Sequence, residues 1–278
     1  MNHKMPKKIG IIGLGLIGGS LLKALQNKGY ELYVVTRNEQ SIKSVLDQNL
    51  AIQASSDFKI LKEMDIIFIA TPIDCTIKTL ETASKLAPNA LFCDLASVKG
   101  FILDYANTHP HLDFIGLHPM AGTENQGFES SKEDLFEGAN WAIIPSNFAS
   151  KPSIIWIEEL IKSINSNPIF CNAEEHDLAV SEISHFPMVL AQVLFYQTTN
   201  NLSKKLASSG FRDMTRLSMS NEKMAQDMLK YNKKAILETL QKFDKNLSFF
   251  IQNYEKMPLL EIIETRRQMY SKDGKNIL

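Results

Sequence analysis

The stretch Ile9-Gly10-Ile11-Ile12-Gly13-Leu14-Gly15-Leu16-Ile17-Gly18 decides the fold of the first half of the chain. A short apolar strand leads into a G-x-G-x-x-G turn, and a helical run follows from Leu21. In this order the first glycine permits a tight turn, the second lets a pyrophosphate approach the backbone, and the third allows close packing of helix on strand. An ordinary glycine turn is the alternative, but the flanking strand and helix favour a dinucleotide site. Its predicted members are Gly13, Gly15, Leu16, Ile17 and Gly18.

Short apolar runs alternate with amphipathic stretches of helical length from Lys8 to about Ile144, which is typical of βαβ units. Runs such as 66–70 and 33–35 are apolar on both faces, as strands covered by helices on each side must be. Strands are predicted at 9–13, 32–36, 66–71, 91–94, 114–117 and 141–144. A helix at 152–164 and a strand at 169–171 complete the sheet. The fold class is therefore α/β, with a Rossmann-type, doubly wound parallel sheet.

After residue 172 the strand signals end and the pattern becomes helical. One long helical segment runs from Ala173 to about Lys205 and contains Pro187, which we expect to kink or break it. A later helix carries apolar residues at spacings of four and three: Ile236, Leu240, Phe243, Leu247, Phe250 and Tyr254. Such a seam packs either internally or on a second subunit. We predict a nucleotide-binding domain at 1–172 and an all-α domain at 173–278 that forms a homodimer.

The composition excludes several classes of function. With 30 Lys plus Arg against 31 Asp plus Glu, the chain lacks the basic surplus of a nucleic-acid or anionic-membrane binder. No run reaches the ~18 uninterrupted apolar residues of a membrane span. Cys75, Cys93 and Cys171 are widely spaced, which argues against a disulfide framework and a zinc site. We therefore expect a cytoplasmic protein with a small-molecule partner, no nucleic acid, no membrane and no metal.

The residues after the second strand indicate which dinucleotide is bound. NAD enzymes usually place Asp or Glu there to accept hydrogen bonds from the ribose hydroxyls. This chain has Thr36 and Arg37, which can hydrogen-bond and neutralise a 2′-phosphate. NADP is therefore expected and NAD is less favoured; the alternative is a solvated Arg37 with Glu39 reaching the ribose. Thr71 and Pro72, at the end of the third predicted strand, are placed in the same site.

Three compact polar runs lie where the fold can deliver residues to a ligand. Two follow the carboxyl ends of strands, which form the usual crevice of an open α/β sheet. The third lies in the helical half. The runs are Asp94-Leu95-Ala96-Ser97-Val98-Lys99, His118-Pro119-Met120-Ala121-Gly122-Thr123 and Ser209-Gly210-Phe211-Arg212-Asp213-Met214-Thr215-Arg216.

Together with the glycine turn, these runs resemble the prephenate and arogenate dehydrogenase family, especially its cyanobacterial arogenate dehydrogenases. The resemblance extends to about residue 255, and the His-Pro-Met-Ala-Gly-Thr run is more specific than the glycine turn. It implies an oxidoreductase of tyrosine biosynthesis that oxidatively decarboxylates a six-membered ring and requires no metal.

The resemblance also implies roles for two residues in the first half. His118 is similar to the family's catalytic histidine, which takes the proton of the ring hydroxyl while hydride leaves the same carbon for the nicotinamide. A histidine suits this role because its unperturbed pKa is about 6.5. Ser97 is similar to the serine that hydrogen-bonds this histidine and the nicotinamide region. Ser97 can also serve as the N-cap of a helix predicted from Val98 to Asn107.

In the helical half, Arg216 is similar to the arginine that binds the substrate carboxylate bidentately. Arg212 is a second candidate that can instead pair with Asp213. His185 resembles a residue that lines the family's substrate cleft. His176 and its neighbour Asp177 also resemble positions that line this cleft, but a structural pair is the alternative, and we leave them out of the predicted site.

One departure from the family pattern favours one substrate. Many prephenate-active relatives carry Ser-His-x-Pro-His, whereas this chain reads Ser184-His185-Phe186-Pro187-Met188. Methionine cannot donate a hydrogen bond to the pyruvyl group of prephenate. The expected reaction is thus oxidation of L-arogenate to L-tyrosine, and conversion of prephenate to 4-hydroxyphenylpyruvate is the alternative.

Two other functions are compatible with parts of the pattern. Another two-domain NADP-dependent dehydrogenase or imine reductase would share the nucleotide half but leave His118 and Arg216 without roles. An NADP-sensing scaffold protein would keep the glycine turn and the apolar seam and lose the polar residues. The presence of Ser97, His118 and Arg216 together argues against both.

Overall fold

An eight-stranded sheet forms the centre of the first half of the chain. The computed structural model describes residues 6–123, 125–256 and 258–270. The strands are β1 Lys8–Ile12, β2 Glu31–Val35, β3 Gln53–Ser55, β4 Ile66–Ile69, β5 Leu91–Asp94, β6 Asp113–Pro119, β7 Asn140–Pro145 and β8 Asn167–Phe170. The helices are α1 Leu16–Ala24, α2 Glu39–Asp47, α3 Thr76–Leu86, α4 Gly100–Asn107, α5 Lys151–Ser163, α6 Ala173–Val180, α7 Phe186–Gln197, α8 Asn201–Leu206, α9 Ser209–Thr215, α10 Glu222–Tyr231, α11 Lys233–Gln252 and α12 Leu259–Met269.

The strand order is β3-β2-β1-β4-β5-β6-β7-β8. Strands β2 and β3 extend the sheet on one side of β1, and β4 then pairs with β1 on its other side. Ligands of open α/β sheets bind at such a reversal, outside the carboxyl ends of the strands. The glycine turn after β1 and the residues after β4 both lie at this point.

Alternate residues of the strands enter two separate cores. In β4, Ile66 and Phe68 pack in one core with α1 and α5, whereas Ile67 and Ile69 pack in the other with α3 and α4. Every residue of β4 is buried. This is the pattern expected of a strand that helices cover on both faces, and the predicted doubly wound fold is confirmed.

Two features of the sheet differ from the prediction. The short edge strand β3 was not predicted, because Gln53–Ser55 contains three residues and lacks an apolar run. Strand β7 runs antiparallel to β6, with Gly116 opposite Ile144. An antiparallel neighbour can follow without a helical crossover, and among the described residues between β6 and β7 the one helical element is the short 3₁₀ turn Phe128–Ser130.

The first helical segment after the sheet changes its hydrogen-bond pattern just before Pro187, and its backbone stays helical through that point. Helix α6 passes into a π-helical turn, Ser181–His185, and α7 begins at Phe186 with the proline in its first turn. Proline is tolerated there because the first amides of a helix have no intrahelical acceptor. The predicted extension to Lys205 is wrong: α7 ends at Gln197 and a separate helix, α8, follows.

The helical stretch Ala173–Gln197 is long and apolar enough to cross a membrane, judged by length and composition alone. Its side chains His176, Asp177 and His185 are nevertheless buried within the protein, and α6 contacts α4. Within the single chain 28% of the apolar window is buried, and one helix of this kind is weak evidence of a membrane span.

Backbone contacts group the chain into two units, Met1–Ile236 and Leu237–Leu278. The second unit contains the remainder of α11 and helix α12. The predicted apolar seam begins at Ile236, which is buried at 2% exposure. Farther along it, Leu247, Phe250 and Tyr254 are exposed in the single chain, at 41%, 39% and 65%.

Candidate active site

The glycine turn has the backbone geometry that its sequence predicts. Gly13 has a φ of +93°, which side chains rarely adopt, and an added Cβ there would lie 2.6 Å from the carbonyl oxygen of Ala70. An added Cβ at Gly18 would overlap the carbonyl oxygen of Gly13. These two glycines therefore allow β1, β4 and α1 to approach one another closely.

The space beside the turn fits a dinucleotide. Gly15 is the N-cap of α1 and provides no side-chain cap, so the first amides of the helix remain available to an anion. An added Cβ at Gly15 would meet no atom within 4 Å, so the turn is open on this side. The buried hydroxyl of Thr71 has no hydrogen-bond partner among the described residues. Amide donors, an open face and an unpaired hydroxyl together suit the pyrophosphate of a bound dinucleotide and the parts of the dinucleotide next to it.

The residues that follow β2 lie at the adjoining edge of this site. Thr36 is buried, and its hydroxyl accepts a hydrogen bond from the Asn38 amide at 3.4 Å. Arg37 is exposed. Burial raises the pKa of the Cys75 thiol, and the charge of Arg37 acts in the opposite direction. Cys75 ends the 3₁₀ turn that follows Pro72 after β4.

His118 lies near the carboxyl end of β6, opposite Ala142 of β7. The residue is half-buried. Burial, followed by the electrostatic effects of His176, Lys99 and His185, holds the pKa of His118 well below its ordinary value. The imidazole is therefore neutral near pH 7, which is the state that a proton acceptor requires.

A chain of hydrogen bonds leads from His118 into the helical half. Its Nδ1 lies 2.9 Å from Nε2 of His176, and Nδ1 of His176 lies 2.8 Å from Oδ1 of Asp177. The two rings meet edge-on with their centroids 5.1 Å apart. His176 and Asp177 are buried, at 3% and 9% exposure. Helix α6 thus contributes two side chains that hold the histidine of β6.

Asp177 also joins α6 to the start of α4. Its Oδ1 accepts the Lys99 amide and its Oδ2 accepts the Gly100 amide, both at 2.8 Å. Helix α4 begins at Gly100 and has no side-chain cap from its own N-cap residue. A carboxylate is stabilised at this position by the free amides and by the helix dipole.

A buried ion pair lies beneath the same loop. The ammonium of Lys99 contacts the carboxylate of Asp94 and donates to the carbonyl oxygen of Leu117 at 2.8 Å. Both charged side chains are fully buried. Burial raises the pKa of Asp94 and lowers that of Lys99, while each charge opposes the shift of the other. The pair therefore connects the end of β5 to the residue that precedes His118.

Two matches to known family models identify the chain. Residues 21–169 match the model described as prephenate dehydrogenase, nucleotide-binding domain. Residues 172–264 match the model described as prephenate dehydrogenase, dimerization domain. The chain belongs to the prephenate/arogenate dehydrogenase family. The family assignment made from the sequence is therefore confirmed.

Individual relatives agree with this assignment. The chain is 33% identical to the prephenate dehydrogenase of Bacillus subtilis over 248 residues, which are 85% of this chain and 67% of that protein. It is 32% identical in sequence to Synechocystis arogenate dehydrogenase. The crystal structure of that protein matches with a TM-score of 0.82, and the match covers 93% of this chain and 97% of the Synechocystis chain. The structure of prephenate dehydrogenase from A. aeolicus shares the fold, at 24% identity, a TM-score of 0.85 and coverage of 95% and 97%.

Within this dehydrogenase, the surroundings of Ser97 differ from the expectation. No hydrogen bond between Ser97 and His118 is present among the described residues, and Nδ1 of the histidine contacts His176 instead. Ser97 is also not the N-cap of a helix, because α4 begins three residues later, at Gly100. The side chain is half-buried in the loop after β5.

The predicted substrate-binding residues of the helical half lie in two different environments. His185 is buried at 1% exposure, its Nδ1 lies 3.1 Å from Nδ2 of Asn232, and burial lowers its pKa to about 4. It therefore lies in the interior and not at a cleft surface. Arg212 and Arg216 are exposed and line an open groove of about 750 Å³ beside α7. Arg212 Nε lies 3.6 Å from Asp213 Oδ1, as the alternative interpretation predicted.

The groove that contains the two arginines is lined by α7 and by the segment from Arg212 to Met219. His118 is not among its lining residues in the described part of the chain. The structure therefore brings His118, the glycine turn and Thr71 to the ends of the strands, and Arg216 lines a groove formed by helical residues.

Sequence analysis missed four residues that organise the site: Asp94, Lys99, His176 and Asp177. A signal existed for the first two, because an Asp and a Lys five residues apart follow a fully apolar strand and must be paired if the loop is buried. The adjacent His176 and Asp177 were recognised as a pair. Their connection to His118, 58 residues away, depends on tertiary packing.

We predict that Lys99→Met lowers the free energy of unfolding by about 3–5 kcal/mol, because Asp94 would remain buried without its partner. The measurement is urea denaturation. Lys99→Met combined with Asp94→Leu should recover most of the loss, since no buried charge remains. Lys43→Met is the matched control, because it breaks the exposed pair with Asp47 and should cost less than ~1 kcal/mol. An equal loss of unfolding free energy in Lys99→Met and Lys43→Met would contradict this account of the buried pair.

Proposed function

We propose that this dehydrogenase oxidatively decarboxylates L-arogenate to L-tyrosine with NADP, and that His118 is the base. The observation that supports the proposal best is a neutral, half-buried imidazole near the carboxyl end of β6, in the same sheet edge as the glycine turn.

The proposed step needs one proton acceptor. The ring hydroxyl gives its proton to His118 while hydride leaves the carbon that carries the hydroxyl. The bond to the ring carboxylate breaks, carbon dioxide leaves, and the bonding electrons make the ring aromatic. NADP, when bound, supplies the hydride acceptor. Because aromatisation makes the step downhill, the protein mainly has to position the groups and accept the proton.

Other residues have supporting roles in the proposal. Gly13, Gly15 and Gly18, with the first turn of α1 that includes Leu16 and Ile17, hold the pyrophosphate, and Thr71 and Pro72 border the same crevice. Ser97 faces the nicotinamide region from the loop after β5. Arg216 binds the substrate carboxylate, with Arg212 as the second candidate. Because Arg216 is exposed in the single chain, we propose that its groove is completed in the assembled enzyme.

The cofactor preference rests on the end of β2. Thr36 and Arg37 follow the strand directly, and the nearest carboxylate, Glu39, begins α2. A guanidinium can neutralise a 2′-phosphate that a carboxylate would repel. We therefore propose that NADP is used in preference to NAD.

The substrate preference rests on Met188. The residue is buried at 4% exposure and packs in the core that contains Val98 and Met228. Its thioether cannot donate a hydrogen bond to a pyruvyl group. Prephenate remains the second candidate, because the B. subtilis relative is named a prephenate dehydrogenase and the Synechocystis relative an arogenate dehydrogenase.

We further propose that residues 173–278 form a domain through which two copies of the chain associate in the cytoplasm. The matching family model is described as a dimerization domain. Phe249, Ile251 and Leu260 expose 61%, 66% and 77% of their surface in the single chain. Large apolar side chains at this level of exposure are typical of surfaces that a partner covers.

Replacing His118 with Asn should reduce kcat by at least ~10²-fold while cofactor affinity stays nearly unchanged. In the wild type, kcat/KM should rise with pH through the pKa of His118, because only the neutral imidazole accepts a proton. Since that pKa is lowered, the rise should lie below pH 6.5 and the rate should be flat at pH 7. A pH–rate profile of both proteins tests this. A midpoint at or above pH 6.5, or unchanged turnover in the variant, would remove His118 from its role.

The substrate and cofactor are tested by crossing arogenate and prephenate with NADP and NAD in an absorbance assay of the reduced nicotinamide. We expect turnover mainly with arogenate and NADP. Arg37→Ala should raise KM for NADP by roughly 10–100-fold, the worth of one charge-assisted hydrogen bond, and should change KM for NAD little. Comparable turnover of prephenate would refute the substrate proposal. An unchanged KM for NADP would refute the cofactor proposal.

A further inference from the structure

We propose that His176 and Asp177 are positioning residues that fix the tautomer of His118, so that its Nε2 is the bare nitrogen that faces substrate. This inference rests on the proposed role of His118 as the base. It assigns His176 and Asp177, which sequence analysis left open between cleft-lining residues and a structural pair, to a positioning role.

The argument begins at Asp177, which accepts three hydrogen bonds. The donors are the amides of Lys99 and Gly100 and the Nδ1 atom of His176. Two of these donors are backbone amides, which can only donate, so the carboxylate is held in its ionised, acceptor-only form. Nδ1 of His176 must then carry a proton.

The proton on Nδ1 of His176 determines the rest of the chain. In a neutral imidazole the other nitrogen is an acceptor, so Nε2 of His176 accepts and Nδ1 of His118 donates across the 2.9 Å contact. Nε2 of His118 is then unprotonated. In other enzymes a carboxylate orients a catalytic imidazole through a direct hydrogen bond. Here Asp177 orients His118 in the same way, with the imidazole of His176 between them.

The same chain stabilises the charge that forms during the reaction. When Nε2 of His118 takes the proton of the hydroxyl, the imidazolium still donates Nδ1–H to His176, and no further proton moves. The titratable groups that face His118 are Lys99 from the loop before α4, His185 from the π-helical turn and His176 from α6, and each disfavours the imidazolium when it is itself protonated. Near pH 7 Lys99 is the cation among them, because burial lowers the pKa of His185 to about 4 and His176 is neutral in this chain. The carboxylate of Asp177, two hydrogen bonds away, is the anion that offsets them.

A merely structural role predicts different results from a positioning role. Loss of a structural contact reduces stability and leaves the tautomer of His118 unchanged in the folded protein. Loss of a positioning contact changes which ring nitrogen of His118 carries the proton. Asp177→Asn is the sharpest change, because the Asn amide can donate to Nδ1 of His176 and reverse both imidazoles. Nε2 of His118 would then be protonated and unable to act as a base.

The experiment is ¹⁵N NMR of the full-length protein with labelled histidine, in which a bare and a protonated ring nitrogen have separate chemical shifts. The His118 signals are assigned by their loss in His118→Asn. In the wild type we expect a protonated Nδ1 and a bare Nε2 for His118. In Asp177→Asn we expect the opposite assignment, a fall in kcat of roughly 10²–10⁴-fold, and KM values within about threefold of wild type.

Two more variants keep the test decisive. His176→Phe retains a ring but removes the acceptor, and it should give a mixture of His118 tautomers with a similar fall in kcat. Glu175→Ala is the matched control: it removes the neighbouring side chain that caps α6, and it should reduce stability while kcat and the His118 signals stay unchanged. If Asp177→Asn fails to fold, His176→Phe and the wild-type spectrum still test the proposal.

A protonated Nε2 on His118 in the wild type would overturn the inference. So would wild-type kcat and an unchanged tautomer in both Asp177→Asn and His176→Phe. The failure of the proposed function is a different result: His118→Asn would then retain wild-type turnover, whichever tautomer the spectrum shows.

Discussion

The carboxylate of Asp177 is the constraint on which the rest of the site depends. It caps the first helix after the active-site loop through the amides of Lys99 and Gly100, and it holds His176 against His118. One side chain of the helical half therefore sets both the position of a sheet-side loop and the orientation of the proposed base. The imidazole of His118 belongs to β6, and its hydrogen-bond partner His176 belongs to α6.

The sheet positions the residues of the nucleotide site and the loop before His118. Because the strand order reverses between β1 and β4, the glycine turn and Thr71 meet at one edge. The ends of β5 and β6 lie farther along the same edge, and the buried pair of Lys99 and Asp94 joins them through the carbonyl of Leu117. A buried pair contributes little net stability, but removing one partner is costly. Its value here is to fix the backbone that precedes His118.

Much of the fold was predictable because its signals are local. The glycine turn at Gly13, the two-sided apolar strands and the change of helical pattern just before Pro187 each follow from the conformational limits of nearby residues. The antiparallel strand β7 was not predictable, since strand direction depends on the path of the connecting segment. In the site, His118 was identified from its motif, whereas its contact with His176 joins residues 58 positions apart. Ser97 was expected in that place because its spacing resembles the family's, and spacing carries no information about which side chain completes a hydrogen bond.

The most direct test of the account is a crystal structure of the enzyme with oxidised NADP and tyrosine, whose phenolic oxygen occupies the place of the substrate hydroxyl. The account predicts that Nε2 of His118 lies about 2.6–3.2 Å from that oxygen, with Nδ1 still on His176. A phenolic oxygen held by another residue, or a His118 ring turned so that Nδ1 faces the ligand, would contradict it.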